Sequence, residues 1–242
     1  MGTIADQAST GSTTSYRNSE DGSLLSACAN ITMDTLNHLD ADTLIIDFGS
    51  TDCLCADGRY RRGKINVVYS GLNYPVHYRD SGMTANFTTT NYFVNDNQIM
   101  GTKTVHNNGW NSAHHLTWSV TVNGQIVLAN NGGTITWNTN KTKELLAGQA
   151  SHGAPINWAI AKVGLTGSAS GTSADGHNFT ANVTSQIIRD FTCGVNRRHF
   201  VQGTLDFTPD NKPTRHIDFG NGTCDDIAVV TIGSHQYTVH MH

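Results

Sequence analysis

Apolar and polar positions alternate along most of this chain with a period of two, the spacing of a strand with one buried face. The run Leu116-Thr117-Trp118-Ser119-Val120-Thr121-Val122 places its large apolar side chains on one face and its hydroxyls on the other. Asn123-Gly124 follows, a two-residue turn signal, and Gln125 to Leu128 reads as the returning strand. In that register Thr121 faces Ile126 and Ser119 faces Leu128, so the polar face also carries apolar groups that something must cover. Further turns are predicted at Asp57-Gly58, at Asn130-Asn131-Gly132-Gly133 and at Asp175-Gly176. Near the end, Ala228 to Ile232, a Gly233-Ser234 turn and Gln236 to His242 read as a last hairpin. Only Lys141 to Gly148 has a helical composition.

Glycines that open strands recur at Gly63, Gly101, Gly133, Gly167 and Gly203, at intervals of 38, 32, 34 and 36 residues. Each interval holds two strands and their turns. The expected architecture is therefore all-β: an antiparallel meander of hairpins, about ten to twelve strands by that count. It would fold as a β-sandwich or a curled barrel with an internal repeat. Residues 27–242 are read as a single all-β domain of pseudo-repeats. Residues 1–26, dominated by Ser, Thr, Gly, Asp and Asn, are read as a flexible N-terminal tether.

A second repetition involves cysteine. Ile46-Asp47-Phe48-Gly49 lies just ahead of Cys53, and Ile217-Asp218-Phe219-Gly220 lies just ahead of Cys224 in the same spacing. The simplest reading is two hairpins whose bases are stapled, one by Cys28–Cys53 and the other by Cys193–Cys224. Cys55 is then the odd thiol of five. Two alternatives stay open. Cys55 competes with Cys53 for Cys28, or Cys-Leu-Cys contributes to a zinc site, although the paired spacings of structural zinc are missing. Bridged cysteines imply an oxidising compartment.

Composition sharpens this picture in two ways. Charged residues make up 14% of the chain and the formal net charge is −4, so no global basic field favours nucleic acid or an anionic membrane. No apolar run reaches the roughly 20 residues of a spanning helix, and the start lacks a signal-peptide layout, so it reads as trimmed.

Catalytic signatures are weak. Gly167-Ser168-Ala169-Ser170-Gly171 has alanine where a nucleophile elbow needs serine. Asp-Phe-Gly occurs twice without the rest of a kinase, and a turn explains it. No catalytic residue and no cofactor is assigned. The candidate ligand-binding residues are Trp110, in the Asn-rich loop Asn107 to Asn111, with His114 beside it, and the basic cluster Arg59, Arg61 and Arg62, which would grip an acidic glycan or phosphate. The bland reading of that cluster is a solvated turn. Of the other tryptophans, Trp118 and Trp137 fall on apolar faces and read as core. Among twelve histidines, His240 and His242 share a strand face and are weak metal candidates, lacking a third ligand. His216 and Asp218 share another face and would pair.

Several stretches together resemble a family of secreted proteins and lipoproteins of Bacteroidota. They are Ile-Asp-Phe-Gly-x-x-x-Cys, Asp57-Gly58-Arg59-Tyr60-Arg61-Arg62-Gly63-Lys64-Ile65, the run from Val94-Asn95-Asp96-Asn97 to Asn107-Asn108-Gly109, and Lys212-Pro213-Thr214-Arg215 through Cys224. The resemblance covers nearly everything after the tether. It implies a secreted, extracellular or cell-surface location in the cell envelope, with room for a lipid anchor to the outer membrane upstream, and carries over no activity. The expected function is a non-catalytic surface protein that binds a glycan, a lipid or another envelope component. The alternatives are a structural or adhesive protein that self-associates through β edges, and an unrecognised hydrolase or metalloenzyme.

Overall fold

The structure is a computed structural model that describes residues 29–34, 42–55, 58–71, 80–149, 156–193 and 200–241. The expected tether, Cys28, Asp57 and His242 lie outside the described residues. Fourteen strands follow one another: β1 (Asn30–Asp34), β2 (Asp42–Asp47), β3 (Cys53–Leu54), β4 (Tyr60–Ser70), β5 (Thr84–Val94), β6 (Asn97–Trp110) and β7 (Leu116–Val127), then β8 (Thr134–Ala147), β9 (Lys162–Thr172), β10 (Asn178–Asp190), β11 (Gln202–Pro209), β12 (Arg215–Asn221), β13 (Ile227–Ile232) and β14 (His235–His240). They form one sheet whose hydrogen-bonded order is the chain order, with β3 set aside as a second partner of β4. The all-β meander is therefore present, with more strands than the two-per-interval count predicts. Among the described residues β1 and β14 stand at opposite ends of that hydrogen-bonded order.

The described residues divide into two compact units, one running up to residue 107 and including 122–136, the other taking 108–121 and the residues from 137 onward. In the first, alternation builds continuous buried rows across the sheet. Leu44, Val67 and Phe87 are register partners on β2, β4 and β5, and Tyr69, Ala85 and Val105 are partners on β4, β5 and β6. All six are buried. In the second unit Leu116, Trp118 and Val120 are buried on alternate positions of β7, as the sequence pattern predicts. Ile187, Phe219 and Ala228 form a further core, with Leu205 and Ile217 packed against it. Burying each such large side chain is worth about 1.5–3 kcal/mol against exposure.

Gly133 directly precedes β8, as its spacing suggests, but the other recurrent glycines have a different role. Gly63, Gly101 and Gly167 lie inside strands rather than at their starts, and Gly203 is the second residue of β11. Gly63 adopts φ +82°, and a Cβ there would overlap the Asn91 carbonyl of β5. Pairing shifts at the same point, from Arg62↔Phe93 to Lys64↔Thr90. This is a β-bulge, where an extra residue bends one strand and glycine lets the neighbouring backbone approach. Gly203 repeats the device against Gln186 of β10, where pairing shifts from Ser185↔Thr204 to Ile188↔Gln202.

Two local readings are overturned by pairing across the sheet. Asn123-Gly124 is not a turn: β7 runs unbroken from Leu116 to Val127, so the proposed pairing of Thr121 with Ile126 does not form. The Asn123 carbonyl instead abuts Gly101 of β6, where that glycine leaves no Cβ in the way. Lys141 to Ala147 is strand, not helix, because it continues the long β8 and buries Leu145. Tertiary pairing outweighs the helical propensity of Lys, Glu and Leu. The turns at Asn130 to Gly133, Asp175-Gly176 and Gly233-Ser234 stand where they are predicted.

Cys193 and Cys224 form a disulfide, with Cα atoms 5.3 Å apart, and enclose the hairpin of β11 and β12. Asp190 prepares its entry. This buried carboxylate accepts the Thr192 backbone N–H at 2.9 Å and the Thr192 hydroxyl at 2.6 Å, and holds the Lys162 ammonium at 2.7 Å. Burial alone would raise its pKa, but Lys162 and Thr192 outweigh that and hold it below the ordinary aspartate value. Cys53 is also disulfide-bonded, while its expected partner Cys28 lies outside the described residues. Cys55 is a free, buried thiol. The two Ile-Asp-Phe-Gly segments share one local conformation: in each the aspartate accepts the glycine N–H two residues on, at 2.9 Å, and the phenylalanine between them is buried.

Candidate binding groove

The turn that joins β11 to β12 is short and stiff. Pro209 and Pro213 bracket Asp210, Asn211 and Lys212, Asn211 takes a positive φ of 56°, and the Lys212 N–H donates to the Pro209 carbonyl at 3.3 Å. Two prolines with fixed φ leave this segment little backbone freedom to lose when a ligand binds. Thr208 and Thr214 close its base through their hydroxyls, 2.9 Å apart. On the other side lies the start of β10, where Phe179 pairs with Pro209 in register and its ring leans on Phe207 at a centroid distance of 5.5 Å. Between them runs an open groove of about 570 Å³, lined by Asn178, Phe179, Thr180, Asp210 and Lys212 among others. That volume falls within the range of small-molecule sites.

A second groove of about 400 Å³ lies at the Gly63 bulge, between Asp47, Arg62, Lys64 and Phe93. Its charges already have partners. Lys64 holds Asp47 at 2.9 Å, and Arg62 holds Asp52 at 2.8 Å and Asp96 at 2.6 Å while stacking on the Phe93 ring. The Lys64 hydrogen bond, helped by the Gly49 N–H, keeps the Asp47 carboxyl below its usual range.

The third polar cluster centres on Glu144 of β8, whose side chain is 19% exposed. One carboxylate oxygen takes the Asn111 amide at 2.8 Å and faces His115 Nδ1 at 2.9 Å, while the other takes the Gln186 amide at 2.7 Å. The Asn111 carbonyl oxygen in turn accepts the backbone N–H groups of Ala113 and His115, so the loop from β6 to β7 is tied to the sheet. Gly164 leaves the space that the Gln186 amide fills. The hydrogen bond from His115 is the main cause that holds the Glu144 carboxyl below its usual value. Burial opposes it, and Gln186 and Asn111 add to it.

A folded-state pKa below the unfolded one means that this stabilisation is complete above the ordinary glutamate range and fades as pH falls through the folded value. Glu144→Gln should therefore cost about 1–3 kcal/mol at pH 7. The difference from the parent chain should shrink towards pH 3, as read by urea unfolding at each pH. A gap that stays constant with pH would contradict it.

The residues nominated from sequence are scattered. Trp110 is half-buried, and His114 is exposed at a positive φ of 57° in the loop that Glu144 holds. Arg59, Arg61 and Arg62 do not converge: Arg59 is exposed, Arg61 is buried at 4% exposure with its Nε donating to the Tyr92 hydroxyl, and Arg62 lies between carboxylates. Adjacent strand residues face opposite ways, which separates Arg61 from Arg62. His240 is exposed and pairs with Asp226 at 3.1 Å. His216 pairs with its register partner Asp206 at 2.6 Å and not with Asp218. Trp118 is buried, but Trp137, expected in a core, is 37% exposed. Among the described residues no group of three His, Cys, Asp or Glu is placed to hold a metal, and no helix is long and apolar enough to cross a membrane.

Sequence reasoning missed Phe179, Lys212 and Glu144. The Pro-x-x-x-Pro frame of residues 209–213 is a signal that could have marked the groove, whereas nothing local links Glu144 to partners 29, 33 and 42 residues away. Comparison with known proteins found no matching protein-family model, no matching curated protein and no matching solved structure.

Proposed function

We propose that this chain is a non-catalytic binding protein of the cell surface or the secreted space, and that it takes a glycan in the groove beside Phe179. The observation that carries the proposal is the lining itself. An aromatic ring stands beside Asn178, Thr180, Asp210 and Lys212 in an opening that is shallow and free to solvent. A sugar needs such a mixture: an apolar face on which its C–H face can lie, and amide, carboxylate and ammonium groups for its hydroxyls. The disulfide beneath the hairpin supports an address in an oxidising compartment, as does the resemblance to secreted Bacteroidota proteins.

The test is calorimetric titration of the full chain with a panel of bacterial, plant and animal oligosaccharides. At least one should bind, and Phe179→Ala should weaken it by about tenfold or more, the effect of removing an aromatic anchor. Binding unchanged by that substitution, or no binding across the panel, would remove the groove as a glycan site.

A further inference from the structure

Among the described residues most cations are accounted for by the protein's own groups. Arg62, Lys64 and Lys162 sit on carboxylates, and Lys103, Lys143 and Arg189 lie over aromatic rings. The groove is different. Lys212 has no side-chain partner among the described residues, its printed bond being the backbone N–H to Pro209. No ion pair joins it to Asp210, although both line the groove. Arg215, one register row beyond, faces Phe207 across the strands and bonds with its guanidinium to the Pro213 carbonyl. One positive charge without a carboxylate partner, Lys212, thus lines the groove, and a second, Arg215, lies outside the lining as the register partner of Phe207, in a protein whose net charge is −4.

On the reading of this groove as a glycan site, we infer that its ligand is an acidic oligosaccharide, one whose sugars carry carboxylates as uronic acids do. A uronic acid fits the arrangement in three ways. Its ring face lies on Phe179, its carboxylate meets the Lys212 ammonium with Arg215 adding to the local potential, and its ring hydroxyls donate to Asp210 and to the Asn178 side chain. A neutral sugar offers the ammonium only hydroxyl oxygens, whereas a carboxylate makes an ion-paired bond, which is the stronger kind. The stiff turn holds the Lys212 backbone at the groove, so that only its side chain is left to order on binding.

The experiment titrates the full chain with hexamers of galacturonate, glucuronate and mannuronate, and with the same hexamers after reduction of every carboxyl to a primary alcohol. At least one acidic hexamer should bind about tenfold more tightly than its reduced form, and the advantage should fall as salt is raised. Lys212→Gln should erase most of that advantage by weakening the acidic hexamer far more than the reduced one, while Lys212→Arg should keep it. Lys212 is exposed on a turn, so neither variant threatens folding. Equal affinity for acidic and reduced hexamers would overturn the inference and leave the glycan reading standing, as would binding at the groove of neutral sugars alone. Failure of every oligosaccharide, acidic or neutral, would overturn both.

Discussion

Replacing Gly63 by alanine is expected to lower the unfolding free energy by about 3 kcal/mol or more, among the largest effects of any single methyl group added to this chain. Two costs add. The backbone φ of +82° lies where L-residues are strained, and the new Cβ would overlap the Asn91 carbonyl, which is backbone and cannot rotate aside. Relief requires the bulge to open, which would break the pairing of Arg62 and Lys64 with β5 and pull Arg62 from the Phe93 ring. Gly176→Ala is the matched control. Its φ is +84°, but nothing lies within 4 Å of the added Cβ, so only the conformational cost of about 1–2 kcal/mol should appear. Urea unfolding followed by tryptophan fluorescence gives both numbers. Equal destabilisation of the two variants would show that the close strand approach at Gly63 contributes nothing.

The second large effect concerns the disulfide at the base of the β11–β12 hairpin, the end opposite the groove. Cys193 and Cys224 close a loop with a sequence separation of 31, for which chain entropy estimates about 3–4 kcal/mol of stabilisation. The double variant Cys193→Ala with Cys224→Ala should lose about that much. It should also weaken ligand binding, because β11 and β12 carry Thr208 to Pro213 and the bridge ties their base to the end of β10. Cys55→Ala provides the comparison, since it removes a buried but free thiol and leaves every bridge in place. Its effect should be confined to the loss of a small buried group, about 1 kcal/mol. If the double variant were as stable as the parent and bound glycan equally, the hairpin would hold its shape without the disulfide.

The parts of this fold that were legible from sequence are those written in short-range chemistry. Alternation in Leu116 to Val122 marks a strand with Trp118 inward, and glycine with a polar neighbour marks the turns at 175–176 and 233–234. The twin Ile-Asp-Phe-Gly segments ahead of Cys53 and Cys224 announce bridged hairpin bases, and the Cys193–Cys224 bond forms. The illegible parts depend on what lies on the neighbouring strand. Asn123-Gly124 has the composition of a tight turn, yet it lies within a long strand with the Asn123 carbonyl close against Gly101. Lys141 to Ala147 has the composition of a helix, yet it pairs as β8. The candidate sites follow the same rule. Arg61 and Arg62 are adjacent in sequence and separate in space, whereas Phe179 and Lys212 are distant in sequence and share a groove. A single sequence records the first kind of nearness and not the second.

The most direct test of the central claim, that the groove between β10 and the β11–β12 turn is the binding site, is an amide chemical-shift titration of the full chain with the tightest-binding oligosaccharide. The account predicts saturable shifts concentrated at residues 178–180 and 208–215, with the Glu144 loop and the Gly63 bulge unmoved. Shifts centred on Arg62 and Asn91, or on Trp110 and His114, with residues 178–180 and 208–215 silent, would contradict it.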